Sequence, residues 1–339
     1  MIVYITEQGS ALYLKGRRLL LKKNGKLLQT IHANKLEQLI LMGRISISPG
    51  TINYLLKNNI DTVFMSFHGE YRGRLAPSFT KNIGLRVKQF KRSDNKEFSV
   101  TIAKECVRGK LENYRYILRR LYYDNKIEDV EIAIHRIRAL LSKLENAKNI
   151  DQIRGYEGSG SAEYFSVFKY MIKNEEFEFN GRTKRPPRDA VNAMLSFGYI
   201  MLLNIVNTYL YIVGLDPLLG NLHEIDYGRP SLALDLMEEF RPIIVDSLVT
   251  KLINKKSFKK NDFEVKAEEK EEDNKAEYYV LMNKDGLKKF IHYFEQKLNE
   301  RIIYYRTAQK LTYRQIIEKQ VRLYAEAIMD GIYKSFIMY

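Results

Sequence analysis

One cysteine, Cys106, in a chain of 339 residues excludes a disulfide framework and a zinc site built on thiolates. The start, MIVYITEQGS, lacks a basic region followed by a long apolar run, so neither a secretory signal nor export is expected. The longest apolar run, Tyr199 to Gly214, is interrupted by Asn204 and Asn207 and is short for a membrane span, so it predicts a buried core helix. No stretch pairs a basic face with a strongly apolar one, which argues against a membrane surface. A cytoplasmic protein is expected.

Positive charge is what the chain has in excess. Lys and Arg number 56 against 41 Asp and Glu, a net +15 with a pI near 9.5. Such an excess is the footprint of a polyanionic partner, although a basic surface serving solubility has the same composition. The 45% hydrophobic content supplies a sizeable core, and the length suits two domains.

Along the chain, residues 1 to about 75 carry short β-rich runs separated by turns, with Asn24-Gly25 a two-residue hairpin signal. Ser48-Pro49 can cap and start one short helix there. His32 and His68 read as ordinary strand or turn residues. Composition shifts after Pro77. The predicted fold is α+β: a mostly-β domain over 1–76, a linker over 77–84, and a larger all-α domain over 85–339. Within the latter, 265–279 reads as a mobile charged loop, the last two amphipathic segments as helices closing the bundle, and His292 as a packed helical histidine.

The residues suited to chemistry fall in four places. In KECVRGKLENYRYILRRLYYD, Arg108, Lys110, Arg115, Arg119 and Arg120 alternate with tyrosines, a pattern fitting phosphate contacts or a solvated face over a tyrosine-rich core. Glu157 lies among Gly155, Gly158 and Gly160, ahead of a helix expected to start near Ala162 with Ser159 or Ser161 as its cap. Arg182, Lys184, Arg185 and Arg188 form a basic loop stiffened by Pro186-Pro187 and suited to backbone phosphates. Asp189 caps the following helix, whose Asn192, Ser196, Asn204 and Asn207 are expected to brace neighbouring loops. Last, NLHEIDYGRPSLALDLMEEFRPIIVD puts Asp235, Glu238 and Glu239 three or four positions apart on one helical face, with His223 able to fold back over that helix across a Gly-Arg-Pro turn. This looks like half a metal site.

RGYEGSGSAEYF, RPPRDAVNAMLSFGY, LLGNLH and ALDLMEEFRPIIVD, in that order, resemble the motif set of the CRISPR-associated endonuclease and integrase family of the adaptation machinery, Cas-one. The resemblance spans essentially the whole chain. It implies a DNA endonuclease and integrase that inserts short foreign DNA fragments into a CRISPR repeat array by 3′-OH attack on a phosphodiester. It also implies a homodimer joined through the N-terminal β domain, and a small partner protein, Cas-two. The implied cofactor is Mg²⁺ or Mn²⁺, held by Glu157, His223 and Glu238, with Asp235 beside them as a further catalytic residue. Many members have aspartate where Glu238 stands, which leaves Glu239 as the alternative ligand. Hard oxygen donors with one imidazole suit such a cation, and with no cysteine near the site and no Ser/His/Asp order covalent catalysis has little support. Two other readings share these residues: a metal nuclease that integrates nothing, and a nucleic-acid-binding scaffold with a structural acidic cluster.

Overall fold

The computed structural model describes all residues except 76–81, 185, 270–275, 330 and 339. The chain divides into two compact units, Met1–Phe79 and Thr80–Tyr339.

The first unit holds β1 (Ile2–Ile5), β2 (Ser10–Lys15), β3 (Arg18–Lys23), β4 (Lys26–His32), β5 (Gln38–Met42), β6 (Ile45–Ile47), α1 (Pro49–Lys57), β7 (Asp61–Met65) and β8 (Tyr71–Leu75). They form two four-stranded sheets, ordered β4-β3-β2-β6 and β1-β5-β7-β8. Asn24 and Gly25 both have positive φ, 49° and 77°, as a tight primed turn between β3 and β4 requires. Ser48 accepts the Thr51 amide at 3.3 Å, capping α1. Alternating apolar residues place Leu12, Leu19, Leu39, Leu41 and Leu55 in one buried core.

The second unit contains α2 (Ile83–Ser93), α3 (Lys96–Asn125), α4 (Glu128–Glu145), α5 (Ile150–Ser166), α6 (Ala190–Val213), α7 (Ser231–Met237), a π-helical turn (Arg241–Asp246), α8 (Ser247–Asn254), α9 (Lys284–Leu298) and α10 (Tyr313–Met329). Apolar nearly all round, α6 is long enough to cross a membrane by length and composition, but 72% of its apolar window is buried within the fold. It is a core helix, as its two asparagines predict. Asp189 caps it, accepting the Asn192 amide at 2.8 Å.

Several expectations are corrected. The second unit is not all-α: β9 (Phe263–Glu269) pairs antiparallel with β10 (Ala276–Met282), and β11 (Arg301–Tyr304) with β12 (Gln309–Thr312). Most of the predicted loop 265–279 is therefore strand, because FEV and YYVL supply β-branched and aromatic residues; 270–275 lie outside the described residues. Of the predicted linker 77–84, residues 77–81 also lie outside them, and Ile83 already opens α2. His292 is exposed and contacts Gln296.

Two further differences bear on the site. The predicted helix start near Ala162 is instead mid-helix, since α5 runs through all three glycines from an Asn149 cap. Gly160 is needed there because a Cβ would overlap Leu111 of α3, so the glycine lets the two helices close on each other. The C-terminal residues, expected to continue a helix, leave it at Met329, and Tyr333, Ser335 and Phe336 are buried. Asn113 of α3 donates to Phe336 O at 2.9 Å, anchoring this tail.

Candidate metal centre

Helix α3 passes behind the site. Its buried residues Val107, Leu111 and Tyr114 share a face, and Lys110 falls in the same register. The Lys110 ammonium is consequently carried inside, where only 3% of the residue is exposed. It pairs with Glu157 of α5 and stands 2.7 Å from Glu238 Oε2 at the end of α7. Ser161, one turn on from Glu157, donates to Glu157 Oε1 at 2.9 Å. Glu238 Oε1 receives Arg241 at 3.1 Å and faces His223 Nε2 at 4.0 Å.

These cations set the protonation of the carboxylates. Burial pushes Glu238 up, but Arg241, Lys110 and His223 outweigh it and hold the group down at about 2. Glu157 likewise lies below the ordinary carboxylate range, burial being overcome mainly by Lys110. Burial alone would lower the Lys110 ammonium; Glu238 reverses that, with Tyr114 and Glu157 adding to it, and raises it. The cluster is thus ionised on both sides.

Asp235 is fully buried and sits behind His223. Its Oδ2 accepts the amides of Asn221 at 2.5 Å and Leu222 at 2.9 Å; its Oδ1 accepts the His223 amide at 2.9 Å and faces His223 Nδ1 at 2.7 Å. Such an acceptor makes Nδ1 a donor and turns Nε2 toward Glu238. The Gly-Arg-Pro turn thus folds the imidazole back as the spacing predicts, with Asp235 as its orienter.

Glu239 turns the other way. It accepts Gln320 at 2.9 Å, Tyr333 at 3.3 Å and the Phe336 amide at 2.7 Å, all from α10 and the tail. Burial pushes its carboxyl up to about 8 despite those donors. The shared helical face read from sequence breaks because α7 ends at Met237, before either glutamate.

Glu157 and Glu238 therefore meet on Lys110, and His223 Nε2 faces the other oxygen of Glu238 at 4.0 Å, while Glu239 does not join them. Among the described residues, no three His, Cys, Asp or Glu side chains close on a common point as metal ligands do. The donor types suit a hard divalent cation, and the space between the two carboxylates already holds a positive charge, that of Lys110.

The basic loop divides. The Arg182 guanidinium is committed to Thr183 O, Asn192 Oδ1 (2.7 Å) and Ser196 Oγ (3.0 Å), and lies over the Tyr199 ring. It braces the loop, as Asn192 and Ser196 were expected to do, whereas Asn204 donates to Ile200 O in its own helix. Lys184 and Arg188 are exposed, and Arg185 lies outside the described residues. On α3, Arg108 is taken up by Glu105 and Glu145, and Arg115 by Glu112. Lys110 was read from the sequence as a phosphate contact or solvated residue rather than as a partner of the carboxylates, and Arg241 went unrecognised. The signal for Lys110 was its apolar register.

The strand-rich first unit, the helical second unit and the order Glu, His, acidic helix define a class already represented among known proteins. The family model for CRISPR associated protein Cas1 matches residues 3–296. Over 332 residues the chain is 32% identical to CRISPR-associated endonuclease Cas1 3 of Thermus thermophilus, covering 97% of this chain and 92% of that relative. A Cas1 protein from Thermotoga maritima has a TM-score of 0.82 at 26% identity and 98% coverage of both chains. A casposase bound to integration product shares the fold, with a TM-score of 0.83 at 23% identity, covering 99% of this chain and 92% of that one. The chain belongs to the Cas1 family.

Proposed function

We propose that this protein is a metal-dependent DNA endonuclease and integrase that inserts short foreign DNA fragments into a CRISPR repeat array, a DNA 3′-OH attacking a phosphodiester of the repeat. The observation that carries the reading is the pairing of Glu157 and Glu238 on one buried cation, with His223 Nε2 4.0 Å from the other oxygen of Glu238, in a chain of this family. Membership in a family of endonucleases implies a divalent metal, and the donor set of two carboxylates and an imidazole supports Mg²⁺ or Mn²⁺. When bound, that ion would stabilise charge developing on the scissile phosphate and polarise its P–O bond.

The protein's own groups prepare this chemistry. Asp235 fixes the imidazole so that Nε2 is the available donor. Arg241 and Lys110 keep Glu238 ionised. Lys184 and Arg188, with Arg185, supply sequence-independent phosphate contacts. The implied partners are DNA, Cas-two and a second copy of the chain paired through the N-terminal unit, in the cytoplasm. Two copies matter because joining both ends of one fragment takes two active sites at a fixed separation.

A strand-transfer assay tests the reading: short duplexes, a supercoiled repeat plasmid and Cas-two, with wild type and Glu157→Ala compared in Mg²⁺ and in Mn²⁺. Joined product with the wild type and none with the variant is expected. Plasmid cleavage without joining would leave only a nuclease, and DNA binding without either reaction would leave a scaffold.

A further inference from the structure

A buried lysine is costly unless its charge is answered, and Lys110 is answered by the two carboxylates proposed as metal ligands. The same ammonium lies 5.7 Å from the centroid of the Tyr114 ring, which is stacked on Tyr164 at 3.8 Å. It therefore has a second favourable neighbour outside the carboxylate pair. The donors do not close on a common point among the described residues, and the gap between Glu157 and Glu238 is bridged by this one side chain.

We infer that Lys110 is a built-in substitute for the metal: it neutralises Glu157 and Glu238 in the metal-free protein and must withdraw before a divalent cation can be held by both. The inference rests on the metal reading above and adds a specific property to it. Lys110 is a positioning residue that stabilises the empty site at the expense of metal affinity. Without it, the buried Glu238 and the half-buried Glu157 face each other with Arg241 as the remaining close cation, so the empty protein loses stability and the site gains attraction for a divalent ion. The exchange needs no covalent step. It makes binding of the metal and movement of Lys110 one event, so that occupancy of the site frees an ammonium beside it.

The test uses the full-length protein and Mn²⁺, with free Mn²⁺ read by electron paramagnetic resonance and folding by circular dichroism. Lys110→Met should bind Mn²⁺ on the order of tenfold tighter or more, from the loss of one nearby positive charge. Its metal-free melting temperature should fall, and Mn²⁺ should raise that temperature by more than in the wild type. Lys110→Arg, which keeps the charge, should bind no tighter than wild type. Unchanged or weaker binding by Lys110→Met overturns the inference, since a purely structural lysine would on removal only weaken the site.

Where Lys110→Met fails to fold, the wild type decides: acetylation of Lys110, quantified by peptide mass spectrometry, should rise on adding Mn²⁺. Unchanged labelling overturns the exchange. Glu157→Ala separates the two levels. If it retains wild-type Mn²⁺ affinity, the metal reading fails and takes this inference with it. If it loses Mn²⁺ while Lys110→Met binds no tighter, only the inference about Lys110 fails.

Discussion

Replacing Asp235 by alanine removes the carboxylate on which the amides of the Asn221–His223 segment converge. Three backbone amides and the imidazole Nδ1 converge on its two oxygens at 2.5 to 2.9 Å, in a fully buried position. Each donor left unsatisfied costs about 1–3 kcal/mol, so the three amides alone represent about 3–9 kcal/mol. Relaxation of the segment toward water recovers part of this, and a loss of about 3–5 kcal/mol is expected, a large share of the roughly 5–15 kcal/mol typical of a domain. Asp235→Asn keeps one acceptor oxygen but turns an NH₂ toward amides, so about 2–3 kcal/mol is expected for it. Urea denaturation followed by circular dichroism measures the loss, and the strand-transfer assay on the fraction still folded measures the consequence for His223. Both variants should lose joining activity, alanine more than asparagine. A loss under about 1 kcal/mol for Asp235→Ala, or full activity in that variant, would refute the role assigned to this carboxylate.

Gly160→Ala drives a methyl into Leu111, so α5 must move off α3 and carry Glu157 away from Lys110; about 1–3 kcal/mol of stability and most joining activity should be lost, while Gly158→Ala, with open space around it, should keep both. Asp246 accepts the Tyr199 hydroxyl at 2.6 Å, and burial, opposed by Tyr199 and Tyr164, pushes it from 3.8 up to about 6. The folded state therefore holds a proton that the unfolded chain has released, so the contribution of Asp246 falls as pH rises from about 4 to about 6, by up to about 3 kcal/mol, and is level above that, where the loss continuing to about pH 8 belongs to Glu239. Asp246→Asn should reduce the fall of denaturation midpoints across that window, leaving the part due to Glu239; an unchanged slope would show that Asp246 is not responsible. Affinity for duplex ends should drop about tenfold or more between low and physiological salt, and charge reversal at Lys184 and Arg188 should weaken it without changing Mn²⁺ affinity. A flat salt response would remove the electrostatic basis of binding.

The strand-rich beginning was legible because its alternation and the Asn24-Gly25 pair are local signals, each needing only neighbours in the chain. The core nature of α6 was legible for the same reason. The glycines around Glu157 misled, because they resemble a turn in sequence and are helical in space; what requires Gly160 is Leu111, on another helix. The strands β9 and β10 went unread because charged residues crowd 264–269 and 276–277, and their register is decided by the partner strand.

By itself, the sequence determined which residue types are available: two carboxylates, an imidazole and an acceptor for it, in motifs ordered as in one family. Only the tertiary structure decided what each does. Glu238 and Glu239 are adjacent in the chain and chemically identical, yet one is held at about 2 by Arg241 and Lys110 despite burial, and the other is pushed to about 8 among Gln320, Tyr333 and Phe336. Past Met237 the chain leaves the regular α-helix, and its adjacent side chains enter surroundings built largely from segments more than 80 residues away, of which the local sequence carries no record.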